Sequence, residues 1–371
     1  MQAPVFIGSN IYRGSRYGPH HPLAIQRVPV VIDLCRAMGW LPSDQYRVSP
    51  RAKPAALQAF HAPDYIDALQ AAEAAQGVDA ETRDRYGLGT LSNPVYGEMF
   101  RRPATAAGGS VLGAELLASG VGRVFNPGGG THHGMPGRAS GFCYFNDPVL
   151  AMLTLRARGL ERIAYVDIDA HHCDGVEAAF SGTEGMLLIS THEERRWPFT
   201  GALEDRAGGV ALNLPLPRAT GDGAFRLALH EVILPAIQRH RPQTIVLQCG
   251  ADALLEDPLA RLAASNRMHL EVLEALMELQ VPMLVLGGGG YTPWTVGRLW
   301  SSVWARLNGH ELPERLPEPG QDLLRALDSP RRWRPGETLL TTLLDDPREG
   351  EIADEHRSRV RALRDRLKAE V

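Results

Sequence analysis

Short, continuous apolar runs recur along this chain, separated by longer stretches with helical periodicity. The runs are Arg123–Phe125, Ile163–Val166, Leu187–Ile189, Thr244–Leu247 and Met283–Leu286, and the periodic stretches include Val149–Arg158, Ala224–Gln238 and Met268–Leu279. A strand with one face in water alternates polar and apolar residues, so unbroken apolar strands need cover on both faces. Helices between the strands supply it. The pattern predicts an α/β fold, a single doubly wound domain with a central parallel sheet and helices on both faces. No repeat or linker interrupts it before about residue 310. The expected division is a main domain over 1–310 and a Pro-rich, charged extension over 311–371 that ends in a helix within Glu349–Val371.

Charge narrows the function. Against 43 acidic residues stand 39 basic ones, a net charge of −4, which argues against binding nucleic acid or a membrane surface through bulk charge. The N-terminus has no basic segment leading into an apolar one, and no apolar run reaches about 18 residues. Cys35, Cys143, Cys173 and Cys249 form no CxxC pair and are too sparse for a disulfide framework. A soluble cytoplasmic protein with free thiols is expected. Thirteen histidines direct attention to metals and protons.

In an open parallel sheet, ligands bind beyond the carboxyl ends of the strands. After Ile163–Val166 comes Asp167-Ile168-Asp169-Ala170-His171-His172-Cys173-Asp174-Gly175. Residues two apart share a face in extended chain, so Asp167, Asp169 and His171 face one space and call for a cation there. After Thr244–Leu247, Gln248-Cys249-Gly250-Ala251-Asp252 delivers another carboxylate. Asp169, His171 and Asp252 make three protein ligands with one position left open, the layout of a catalytic metal site. They suit Zn2+, although such sets also accept Fe2+, Mn2+ or Co2+. Either segment alone is ordinary loop or helix-cap chemistry. Their coincidence at two strand ends favours the metal.

Three more loops lead to the same end of the sheet. Asn126-Pro127-Gly128-Gly129-Gly130-Thr131-His132-His133-Gly134 carries adjacent imidazoles on a glycine-rich turn. Gly141-Phe142-Cys143-Tyr144-Phe145 is an aromatic cluster, either core or the wall of a narrow pocket. Gly287-Gly288-Gly289-Gly290-Tyr291 brings a phenol, with no nucleotide-binding motif around it.

Together these segments, with Asn146 and Asp147, resemble the histone deacetylase and acetylpolyamine amidohydrolase superfamily from about residue 10 to 308. The chain is most similar to class I-like and bacterial acetoin-utilisation-type deacetylases. The resemblance implies the arginase–deacetylase fold and zinc-dependent removal of acetyl or other acyl groups from lysine side chains or small N-acyl amines. It assigns Asp169, His171 and Asp252 to the metal, and His132, His133 and Tyr291 to catalysis. Asp167 and Asp174 stand behind the two histidines. Gly141, Phe142, Trp197 and Ser92 belong to the substrate tunnel, and Arg27 to an internal channel. Asp167, Asp169, His171 and Ser190 correspond to a structural monovalent-cation site, usually K+.

Three departures stand out. Ser92 replaces an Asp that normally grips the substrate backbone, leaving Glu98 as a possible substitute. Thr131 is smaller than the residue of eukaryotic class I members, which points to room for longer acyl groups. Cys173, with Cys143 and Cys249 nearby, raises the expectation of sensitivity to thiol reagents. The entrance segment Tyr12–Pro22 is basic, which disfavours cationic polyamines, and His20 and His21 read as turn residues. The competing readings are an acetylpolyamine or other small-amide deacetylase, an arginase-like binuclear manganese hydrolase and a non-catalytic acyl-ligand sensor. A homo-oligomer is compatible with all of them. The chain has only two lysines, Lys53 and Lys368.

Overall fold

The computed structural model describes residues 2–15, 17–18, 20–329 and 333–369, so Arg16 and Pro19 of the entrance segment, and Glu370 and Val371 of the terminal helix, lie outside the described residues. The strands are Val5–Gly8 (β1), Tyr46–Val48 (β2), Arg123–Asn126 (β3), Ile163–Asp167 (β4), Met186–Glu193 (β5), Ala211–Leu216 (β6), Thr244–Gln248 (β7) and Met283–Leu286 (β8). They form one sheet in the order β2-β1-β3-β8-β7-β4-β5-β6, and every pairing is parallel. This is the predicted parallel α/β architecture.

Successive strand residues feed opposite faces. Phe125, Val166, Leu247 and Val285 join the core on one face, together with Trp300 and Trp304 of the helix Pro293–Leu307. Val124, Tyr165, Val246 and Leu284 join the core on the other, with Val149 and Leu155 of the helix Asp147–Ala157. The five strands expected from apolar runs are present. The sequence reading passed over β1, β2 and β6. At the sheet edges, β2 has three half-buried or exposed residues and β6 contains Pro215, which only an edge strand tolerates.

Register sets the level of the site. Asn126 pairs with Leu286, Leu286 with Gln248, Gln248 with Asp167, and Asp167 with Ser190. These residues cross five adjacent strands as one row at their carboxyl ends. The informative loops therefore start side by side.

The extension packs back onto the sheet domain. Leu316, Leu324, Leu343, Val360 and Leu363 are buried in the main core. In the helix Asp354–Ala369, His356, Val360 and Leu363 form the single buried stripe of an otherwise polar helix. Arg298 and Asp345 meet at 2.5 Å, both buried, while the Arg298 Nε donates to the Thr342 carbonyl and the Asn266 N–H to Asp345. No helix among the described residues is long and apolar enough to cross a membrane.

Removing one partner of a buried ion pair leaves the other charge stranded. Asp345→Ala is expected to cost about 3–5 kcal/mol, read as a lowered urea midpoint. The double variant Arg298→Met/Asp345→Leu, with neither charge, should recover most of it.

Candidate active site

Two strand ends, beyond β4 and β7, assemble the metal-ligand group. One ligand atom from each of Asp169, His171 and Asp252 lies within 4.8 Å of the others, and all three residues are buried. The His171 Nδ1 is 2.9 Å from Asp252 Oδ2 and 3.2 Å from Asp169 Oδ1. Backbone N–H groups fix the carboxylates: Ala170 donates to Asp252, and Gly289 and His171 donate to Asp169. The approach is close enough to require glycine. A Cβ on Gly289 would sit 2.0 Å from Asp252 Oδ2, and one on Gly250 would sit 2.1 Å from Asp169 Oδ2. Two carboxylates and one imidazole converging this closely make a donor set that fits a divalent cation.

Beside this group the tandem histidines stand with rings 4.0 Å apart. His132 Nδ1 is 2.8 Å from Asp167 Oδ2, and His133 Nδ1 is 2.7 Å from Asp174 Oδ1, so in both rings Nε2 is turned away from its carboxylate. Asp167 also accepts from the Tyr165 hydroxyl and from the Asp169 N–H. Electrostatics separate the pair. Burial lowers both pKa values, but the carboxylates of Asp167 and Asp169 outweigh it at His132 and push it up to about 9. At His133 the charge of His132 adds to burial, and the pKa falls to about 3.

The loop bearing these histidines is held by residues whose roles the sequence did not reveal. Asp147 accepts from the N–H groups of Gly130 and Thr131 and from the hydroxyls of Thr131 and Ser110. Asn146 caps its helix through Val149 N–H and donates to the carbonyls of His132 and Gly134. Asp257, also buried, accepts from the N–H of Tyr291 at 2.7 Å. Burial, reinforced by Asp252 and Asp169, raises the Tyr291 pKa well above its ordinary value, so the phenol keeps its proton.

The cavity over the ligand group is lined by Gly141, Phe142, Tyr291, Arg27 and both tandem histidines. Phe142 meets Tyr291 with ring centroids 5.7 Å apart, while the partly exposed Trp197 packs on His133 at 4.6 Å and covers Gly141. Arg27 donates to the Gly288 carbonyl and stacks on Trp300. Ser190 faces Asp167 across the register, with its hydroxyl bonded to His192.

Other expectations change. Ser92 is exposed and meets the site only through its carbonyl, 3.2 Å from His21 Nε2. His21, read as a turn residue, also packs edge-on against Phe142 at 4.6 Å. Glu98 does not replace the missing acid: it lines a separate surface cleft with Arg51 and Ser49. The neighbour that does reach the tunnel is Asn93, whose Oδ1 accepts from Phe142 N–H. All four cysteines are free and buried, and burial raises every thiol pKa, which runs against the expected thiol sensitivity. Arg13 of the basic entrance is paired with Asp33 at 2.5 Å.

Comparison with known proteins agrees with this geometry. Residues 21–307 match the domain model described as "Histone deacetylase domain". The acetoin utilization protein AcuC of Bacillus subtilis (strain 168) is 34% identical over 331 residues, covering 84% of this chain and 85% of its own. Histone deacetylase 9 of Arabidopsis thaliana is 35% identical over 310 residues, covering 81% and 72%. The crystal structure of an HDAC homologue from Aquifex aeolicus matches with a TM-score of 0.92 and 35% identity, over 98% of this chain and 100% of that one. A structure of an HDAC homologue complexed with SAHA gives the same values. With that match over most of its length, the chain belongs to the histone deacetylase family and is a hydrolase acting on amide bonds.

Proposed function

We propose that this chain is a zinc-dependent deacylase that hydrolyses the N-acyl amide of acylated lysine side chains or related small N-acyl amines. The observation that carries the reading is one buried group of two carboxylates and an imidazole beside two His–Asp pairs and a phenol. A divalent ion held by Asp169, His171 and Asp252 supplies Lewis-acid polarisation of the amide carbonyl and lowers the pKa of a water molecule. His133, oriented by Asp174, is the group we assign to take the proton of the attacking water and return it to the departing amine. His132, backed by Asp167, holds positive charge next to it. The Tyr291 hydroxyl donates to the carbonyl oxygen as charge develops there. Gly141, Phe142 and Trp197 flank the methylenes of the substrate arm, and Ser92 contributes no charge to hold its backbone.

The proposal includes a monovalent cation, K+, near Asp167, Asp169, His171 and Ser190, and a cytoplasmic setting consistent with four free cysteines. The binuclear alternative would need a second acidic pair, whereas the described residues hold one metal-ligand group. An acetylated polyamine stays in view as a second substrate class, because the Arg13–Asp33 pair removes part of the repulsion expected at the entrance.

Chelation is expected to abolish turnover while leaving the far-ultraviolet circular dichroism unchanged, with Zn2+ restoring activity at one ion per chain. A requirement for two ions would favour the binuclear chemistry. Tyr291→Phe should lower kcat about 10²–10³-fold with KM little changed. Near-normal kcat would remove the phenol from the mechanism.

A further inference from the structure

Ser140 and Cys143 exchange backbone hydrogen bonds: the Ser140 N–H donates to the Cys143 carbonyl at 3.0 Å, and the Cys143 N–H to the Ser140 carbonyl at 2.8 Å. The two residues between them turn the chain with positive φ, 52° at Gly141 and 68° at Phe142. A tight turn of this kind asks for glycine or asparagine at both positions. Gly141 complies, and nothing larger fits there, because a Cβ would sit 2.2 Å from the Trp197 ring and 2.8 Å from His133. Phe142 does not comply. A bulky aromatic residue in the left-handed region is strained and persists only where its surroundings hold it. Its N–H also lies outside the Ser140–Cys143 pair and must find a partner elsewhere.

That partner is Asn93, whose Oδ1 accepts from the Phe142 N–H at 3.0 Å. Asn93 is buried and fixed in turn: its own N–H donates to the Thr90 hydroxyl at 3.0 Å, and its Nδ2 to the Gly87 carbonyl at 3.3 Å. His21 closes the assembly. Burial lowers its pKa, and its Nδ1 accepts from the Leu23 N–H at 3.0 Å, so the proton of the neutral ring sits on Nε2, 3.2 Å from the Ser92 carbonyl. The same ring meets Phe142 edge-on with centroids 4.6 Å apart. Contacts therefore run in a closed circuit from His21 through Ser92 and Asn93 to Phe142 and back. On its far side the turn already abuts Trp197 at Gly141, so a released Phe142 can give way only by widening the gap between the two rings.

We propose that Asn93 is the positioning residue that holds Phe142 in its left-handed conformation and thereby sets the width of the tunnel, selecting a slender, unbranched amide arm over a branched one. An aliphatic side chain at 93 would leave the Phe142 N–H without its acceptor and the strained turn without its tether. The substrate preference rests on the deacylase reading, whereas the hold on Phe142 is a property of the fold and is measurable without turnover.

The test compares Asn93→Ala with Asn93→Asp in the zinc-loaded enzyme. Asp keeps an oxygen for the Phe142 N–H but loses the donor to Gly87, which separates the proposed role from a merely structural one. Hydrogen exchange at the Phe142 amide should be slow in the unsubstituted chain and in Asn93→Asp, and about tenfold faster or more in Asn93→Ala. With an acetyl-lysine peptide, Asn93→Ala should raise KM about tenfold with kcat within about twofold, and Asn93→Asp should restore most of the loss. The preference for acetyl-lysine over an analogue with a methyl branch on its Cε should fall about tenfold in Asn93→Ala. In a Phe142→Gly background, where positive φ carries no strain, Asn93→Ala should have no further effect on KM. That pair also serves where Asn93→Ala alone is too unstable to assay. Equal effects of Ala and Asp would overturn the proposal, as would a further loss in the Phe142→Gly background. If the unsubstituted enzyme turns over no acyl peptide, the deacylase reading fails, and exchange at the Phe142 amide alone decides whether Asn93 holds the turn.

Discussion

Three carboxylates, Asp167, Asp169 and Asp252, are buried together at the carboxyl end of one sheet. Isolated charges in such a place are costly to desolvate, and the surrounding structure can be read as what offsets that cost. Tyr165, His132 and the N–H of Asp169 serve Asp167; the N–H groups of His171 and Gly289 serve Asp169; the N–H of Ala170 serves Asp252. Their remaining lone pairs converge with His171, which is the demand for a cation. Glycines at 250 and 289 follow from the same crowding, because a side chain at either position would occupy the space of a carboxylate oxygen. The parallel sheet brings the loops together through a register row that runs level from β3 to β5.

Much of this was legible in the sequence, for a definite reason. Fully buried strands must be continuously apolar, so β4, β7 and β8 announce themselves, and the polar residues that follow each run are then conspicuous. Edge strands carry no such constraint: β2 is too short and exposed to stand out, and β6 is broken by Pro215. Ligands and tandem histidines were visible because acids and imidazoles rarely cluster without cause. Their supports were not. Asn93, Asp147 and Asp257 act by accepting backbone N–H groups of loops distant in sequence. Such relations arise from three-dimensional proximity alone.

The departures from the family pattern also acquire physical content. Thr131 spends its hydroxyl on Asp147 and the Phe145 carbonyl, so its small size serves the histidine loop as well as the cavity. Cys173 packs in the core with Val176 and Tyr165, a small apolar residue rather than a reactive one. Ser92 is exposed at the mouth and offers it no charge.

The Arg298–Asp345 pair carries a consequence for how the molecule comes into being. Arg298 lies on the helix that follows the Tyr291 loop, and its partner is encoded 47 residues later. At roughly 5–20 residues per second of synthesis, about 2–9 s separate the two on the ribosome. During that interval every ligand and proton-transfer group already exists, yet the helix behind them cannot withdraw its guanidinium from water at low cost. The segment that carries Asp345 is therefore the one that lets the site-bearing part of the protein close.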